Sequence, residues 1–226
     1  MIIATGGAFV ALVAPRIFAA NHELPYAIVA TAIVGVAVVT ADAFARMARR
    51  AYRFYEINPL VVHFARSAFS YLQDAEGTVE IELGDARLSR EHTSPERFDV
   101  LIVDAFTSDA IPIHLLMREA FCEYFRHRAP GGVVAFHVSN LHLDLAPIVK
   151  LGAGDATRVV RIVSPADASR AVSTAVWVLV AREPAPAVFA ELGDATNEID
   201  LDTRIRPWTG DYSSLWPVLR LRPPRA

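Results

Sequence analysis

Hydrophobic and polar positions divide this chain into two regimes. From Leu24 to Ala41, 18 residues run without a single charge. Coiled as a helix, that run would be roughly 27 Å long, near the lower limit for crossing a hydrocarbon core. Arg46, Arg49, Arg50 and Arg53 follow it, and by the positive-inside tendency they place what comes after in the cytoplasm. Residues 1–19 are also apolar but are interrupted at Pro15-Arg16, as in a partial second span or a re-entrant piece. A signal peptide fits poorly, because no basic region precedes the apolar stretch. The competing reading is a buried strand–helix unit of a soluble protein, since Val and Ile are dense over 28–39. The first expects an inner-membrane protein with a cytoplasmic domain, the second a soluble cytoplasmic one. Either way the chain divides at residue 45, with 1–45 an apolar, membrane-derived segment and 46–226 a polar-faced domain.

After residue 51 the period changes repeatedly. Tyr52 to Ile57 reads as a strand, and Asn58-Pro59 opens a helix with proline at an early position. Leu60, Phe64, Ala68 and Leu72 recur every four residues and predict the buried stripe of that helix. Thr78 to Leu83 alternates as a strand and ends in Gly84-Asp85. Phe98 to Val103 is a near-continuous apolar strand of the kind covered on both faces. A helix is predicted over 113–128, stopped by Pro130-Gly131-Gly132. Val133–Val138 then reads as a strand, Leu143–Leu151 as a helix, and Val159–Val163 and Ala175–Val180 as final strands. The alternation predicts a doubly wound, mostly parallel α/β sheet.

Composition narrows the function classes. With 53% hydrophobic residues the chain is not disordered. A net charge of −3 argues against a nucleic-acid binder driven by phosphate neutralisation. The single cysteine, Cys122, excludes an internal disulfide framework and any multi-cysteine zinc site. Its place in a helix predicts a buried, inert thiol. The seven histidines show no close pair, so no metal is expected. There is no Gly-x-Ser-x-Gly elbow and no P-loop. Arg118, Arg126 and Arg128 read as a solvated helix face. Trp177 reads as core, and Trp208 and Trp216 as packing against the sheet end.

In open α/β sheets ligands bind beyond the carboxyl ends of the strands. Glu56 ends the first clear strand, Asp85 follows the second and Asp104 ends the third, while His137, Ser139 and Asn140 close the fourth. A carboxylate at a strand end can accept both hydroxyls of a ribose. One a strand away can accept from an adenine amino group. Asp104, in the middle, could hold or deprotonate an amine nucleophile. His114 follows Asp104 and is placed to line the same pocket. His137 is expected to hydrogen-bond the loop backbone.

The runs FYEINPLVV, GDARLS, FDVLIVDAFTSDAIPIHLL, GGVVAFHVSN and WTGDYSSL, in this order over 52–220, resemble the spermidine synthase-like proteins. More narrowly they resemble the bacterial branch in which such a domain follows membrane helices, and GGAFVALVAPRIF and ELPYAIV look like the end of its membrane part. The resemblance implies a fold of the S-adenosylmethionine-dependent methyltransferase type and a polyamine-biosynthesis type of transferase. It implies Glu56 as the ribose acid, Asp85 with Ala86 on the adenine side, and Asp104 as catalytic base. Asp109, His114, Asp211 and Tyr212 would edge the acceptor pocket. The donor would be decarboxylated S-adenosylmethionine, or S-adenosylmethionine itself, and the acceptor a small amine, without a metal. A homodimer is an open option.

The chain departs from that family in several places. The glycine-rich turn that should precede the FYEINP strand is absent there. Either a deletion joins the last membrane helix to that strand, or residues 32–39 form a degenerate first strand. The second acid, Asp109, comes five residues after Asp104, later than in true spermidine synthases, and Gly210 stands where the branch usually carries an acid. The small N-terminal strand domain is missing. Two further readings therefore stand beside aminopropyl transfer. One is a truncated, catalytically inactive domain that binds a nucleoside or has only a structural role in a membrane protein. The other is a methyltransferase using ordinary S-adenosylmethionine.

Overall fold

The structure, a computed structural model, describes residues 2–4, 51–68, 72–73, 77–91, 93–104, 113–140, 142–164, 174–184, 186, 188–192 and 196–220. Strand β1 (Ile2–Ala4) is followed by β2 (Ala51–Glu56), helix α1 (Pro59–Ala68), β3 (Thr78–Leu83), α2 (Ala86–Glu91) and β4 (Phe98–Asp104). A 3₁₀ turn (Ile113–Leu115) leads into α3 (Arg118–His127), then β5 (Arg128–His137), α4 (Ala146–Ala153), β6 (Thr157–Ser164) and β7 (Ala175–Arg182). Short α5 (Val188–Glu191), β8 (Thr196–Asn197) and a 3₁₀ turn (Trp216–Val218) complete the order.

The eight strands form one mixed sheet in the order β3-β2-β1-β4-β5-β7-β6-β8. β3, β2, β1, β4 and β5 run parallel, whereas β7 is antiparallel to β5 and β6, and β8 antiparallel to β6. The sheet is mostly parallel as expected, since β6 runs with the first five strands, but β7 and β8 oppose them and make the last three pairings antiparallel. Alternate residues of the sheet feed two cores. Leu101, Val103, Val134, Phe136 and Val178 pack under α3 and α4, where Phe121 stacks on Phe136 with centroids 5.0 Å apart. Val133, Ala135, Trp177 and Leu179 pack on the opposite face with Phe189.

The place of the first strand is a correction. Ile2–Ala4 sits between β2 and β4, pairing with both, so neither a deletion nor residues 32–39 accounts for that position. The residues after β1 in the chain are Thr5-Gly6-Gly7, so a glycine pair does follow the first strand in sequence, far from where it was sought. Residues 5–50 lie outside the described residues, and with them the Leu24–Ala41 run. Among the described residues no helix is long and apolar enough to cross a membrane.

Local chemistry explains the other departures. In α1 the buried residues are Val62 and Ala65, while Leu60 and Phe64, the expected core stripe, are 64% and 58% exposed. The Pro130-Gly131-Gly132 run does not stop a helix ahead of a strand but lies inside β5. There the register with β4 shifts between Phe98 and Val100, which face Arg128 and Val133. Such a bulge tolerates proline and needs Gly132, because a Cβ would stand 2.8 Å from the Phe98 carbonyl oxygen and 2.9 Å from that of Asp99. Arg126 is not a solvated side chain: it pairs with Glu123 at 2.5 Å and donates to the Arg90 carbonyl at 2.6 Å. Arg128 donates to the Gly132 carbonyl within β5. Cys122 is exposed rather than buried. Trp177 and Trp208 are core residues, but Trp216 is 83% exposed.

At the α2–α3 end of the sheet, a polar network locks the elements together. Buried Arg90 donates to Tyr55 and Glu96 and, at 3.0 Å, to Nδ1 of His127. Arg53 bridges Glu96 to Glu80 on the neighbouring strand. Since an arginine can only donate, the His127 Nδ1 is an acceptor. Burial, with the neighbouring Arg90 charge, holds the His127 pKa below 6.5.

Candidate active site

The strand order reverses its direction of growth at β1, whose neighbours are β2 and β4. A crevice beyond the carboxyl ends of the strands at such a point is where a ligand sits in this kind of sheet. Register aligns the ends: Glu56 pairs with Leu83, and Ala4 with Asp104. Glu56, Asp85 and Asp104 are thereby carried to one edge by three separate segments.

Glu56 is fully buried, and its Oε1 accepts the Asn58 N–H at 2.8 Å. Asn58 in turn caps α1, its Oδ1 accepting the Leu60 N–H at 3.0 Å ahead of Pro59. The Glu56 carbonyl accepts the Gly84 N–H at 3.0 Å, tying the exit of β3 to that of β2. Asp85 caps α2: its Oδ1 accepts the N–H groups of Arg87 at 2.9 Å and Leu88 at 3.0 Å. Its other oxygen, Oδ2, lies 3.3 Å from Nε2 of His114. Asp85 and His114 therefore meet, joining the β3 exit to the turn before α3. Ala86 is buried directly behind this cap.

Asp104 is buried at the end of β4, and its Oδ1 lies 2.9 Å from Nδ1 of His137. His137 stacks on Trp177, its partner across β5 and β7, with centroids 4.7 Å apart at 23°. The far ring nitrogen, Nε2, is 2.7 Å from Oγ of Ser139, which also accepts the Val176 N–H at 2.8 Å. His137 thus bonds two side chains, Asp104 and Ser139. Part of the signal was in the sequence: His137 ends a strand and Ser139 follows two residues on, the spacing that returns a side chain to the same face in extended chain.

The remaining expected residues divide. Asp109 lies outside the described residues. The WTGDYSSL run docks on the start of α3, where the Trp208 carbonyl accepts the Arg118 N–H at 2.9 Å. The Glu119 carboxylate accepts the Gly210 N–H at 3.1 Å. Bonds from its own N–H and from Gly210 hold the Glu119 pKa below the usual range. Thr209 and Tyr212 close a tight turn with Asp211 exposed at its tip. Tyr212 packs on the main core under the Arg206 guanidinium, 4.4 Å from its ring centroid. Tyr212 is thus partly committed to structure, and Asp211 is the more accessible of the pair. Among the described residues no cluster of three or more potential metal ligands occurs.

No family model matches the chain. It is 33% identical over 92 residues to the polyamine aminopropyltransferase of Vibrio vulnificus (strain CMCP6), a match covering 38% of this chain and 30% of that one. The chain thus spans about a third of the curated relative it matches. Similar solved structures include a spermidine synthase bound to the transition-state analogue AdoDATO, at 13% identity and TM-score 0.48, covering 89% of this chain and 62% of that one. The spermidine synthase of Thermotoga maritima aligns at 14% identity and TM-score 0.46, covering 89% and 61%. A probable spermidine synthase from Corynebacterium glutamicum ATCC 13032 aligns at 16% and 0.44, covering 76% and 81%. Over that 92-residue stretch the chain resembles a polyamine aminopropyltransferase in sequence.

Proposed function

We propose that this spermidine synthase-like chain carries an aminopropyltransferase-type site, built on a sheet of the methyltransferase type, in the crevice where β2, β3 and β4 end. One observation carries the reading: Glu56, Asp85 and Asp104, from three separate segments, come to one sheet edge at the switch point. An edge lined by carboxylates suits a donor with a sulfonium cation, ribose hydroxyls and an adenine amino group. In this reading Glu56 holds the ribose, Asp85 and Ala86 flank the adenine, and Asp104 faces the reacting amine. Asp211 and Tyr212 border the acceptor, while His114, 3.3 Å from Asp85, belongs with the adenine side.

The reaction asks little covalent work of the protein. The amine lone pair forms a bond to the terminal carbon of the donor's aminopropyl group. The carbon–sulfur bond breaks, its electrons pass to sulfur, and methylthioadenosine leaves. The amine must lose a proton, which Asp104 accepts. Positioning and that deprotonation are the enzyme's main contributions.

The test is a pair of measurements on the full chain. Asp104→Asn keeps the shape and the oxygen that faces His137, so methylthioadenosine should bind within about twofold of wild type. Transfer should fall about 10²–10⁴-fold, the usual contribution of a positioned base. Full transfer by the variant removes Asp104 from the mechanism. A donor preference for S-adenosylmethionine over its decarboxylated form would redirect the reading to methyl transfer.

A further inference from the structure

We infer that His137 is a positioning residue, held between Ser139 and Asp104, that fixes the orientation of the Asp104 carboxylate. The Val176 N–H, which can only donate, takes one lone pair of the Ser139 hydroxyl at 2.8 Å. The other lone pair and the hydroxyl hydrogen both remain, so the direction of the 2.7 Å contact with Nε2 of His137 is set from the far side of the ring. An ionised Asp104 carboxylate can only accept, which puts a hydrogen on Nδ1 and, in the neutral ring, leaves Nε2 to accept from Ser139. Nδ1–H donates to Oδ1 of Asp104 at 2.9 Å.

The chain Val176 N–H, Ser139, His137, Asp104 thus has a single direction, set by a carboxylate that can only accept. Stacking on Trp177 fixes the ring plane. Held at Oδ1, the carboxylate can offer its other oxygen to the crevice. His137 itself has no hydrogen-accepting atom left for the amine. It acts through Asp104.

The tautomer follows from this geometry with Asp104 ionised. Its consequence for catalysis rests on the reading of Asp104 as the base. Loosening a base by a fraction of an ångström slows reaction without weakening donor binding. Ser139→Ala should therefore lower kcat by about tenfold, with the donor KM unchanged, and Ser139→Thr, which restores the hydroxyl, should recover it.

The deciding experiment is nitrogen-15 NMR of the full chain labelled at histidine, with the His137 signals identified by their loss in His137→Gln. The expected result is a proton-bearing Nδ1 and an accepting Nε2, the Nε2 signal shifting in Ser139→Ala, which removes its donor, and returning in Ser139→Thr. A wild-type hydrogen on Nε2 would overturn the inference. So would Ser139→Ala turnover equal to wild type. If the wild-type chain transfers nothing, the functional reading fails, while the ring nitrogens still decide the tautomer.

Discussion

Gly132 carries the strongest stability prediction, because the bulge it occupies sets the register that brings His137 beside Asp104. In Gly132→Ala the new methyl would stand 2.8 Å from the Phe98 carbonyl oxygen, 2.9 Å from that of Asp99 and 3.0 Å from Cγ of Arg128. Ordinary contact needs about 3.5 Å, so the strands must part by roughly half an ångström. Two of the three obstacles are main-chain atoms of β4 and cannot rotate away. Overpacking of this kind costs about 1–3 kcal/mol. In a chain of this size each kcal/mol lowers the melting temperature by about 2–4 °C, so the expected drop is about 2–12 °C. Thermal unfolding by circular dichroism reads it. The neighbouring Gly131 is the control. A Cβ there meets nothing within 4 Å, but its φ is +74°, so Gly131→Ala costs about 1–2 kcal/mol through the backbone alone. Gly131→Asn should recover part of that loss, since asparagine tolerates the left-handed region. No polar replacement should rescue position 132. A Gly132→Ala melting point within about 1 °C of wild type would mean that β4 and β5 do not approach this closely, and the register argument would fall with it.

Three other outcomes follow from the same structure. Asp85→Ala removes the acceptor of two helix N–H groups and should cost about 1 kcal/mol of stability. Asp85→Asn, which keeps an acceptor oxygen, should be nearer wild type in a melting experiment. Glu56→Ala should weaken every adenosyl ligand in calorimetric titration, and an unchanged affinity would remove Glu56 from the ribose role. His127 is held below its ordinary pKa of 6.5 in the folded chain, so the unfolded chain binds the proton more readily. Its contribution is therefore present above pH 6.5 and is lost as the pH falls toward the folded value. Denaturant midpoints across that range should fall less steeply for His127→Gln than for wild type. Parallel slopes would show that His127 takes no part in the acid limb.

Much of the site was legible in the sequence because its residues sit where strand periodicity stops. The Asn58-Pro59 start, the Gly84-Asp85 exit and the apolar run into Asp104 each carry a local signal. β1 was not legible: three residues give no period, and 46 residues separate it from β2. The buried side of α1 was misjudged because spacing reports a stripe, not what covers it, and small Ala65 and Val62 face the sheet. Pro-Gly-Gly reads as a stop on propensity, yet a bulge opposite Phe98–Val100 uses those same properties inside a strand. The antiparallel end of the sheet depends on long-range pairing that no local window contains. The Asp104–His137–Ser139 chain was half-visible: the strand face was readable, the partner across β4 and β5 was not.

The central claim is that this crevice transfers an aminopropyl group. The most direct test incubates the full chain with decarboxylated S-adenosylmethionine and a series of short aliphatic diamines, and follows products by mass spectrometry. The account predicts methylthioadenosine and an aminopropylated amine in equal amounts, both abolished by Asp104→Asn. Folded wild-type chain that binds the donor yet forms neither product with any diamine would contradict it.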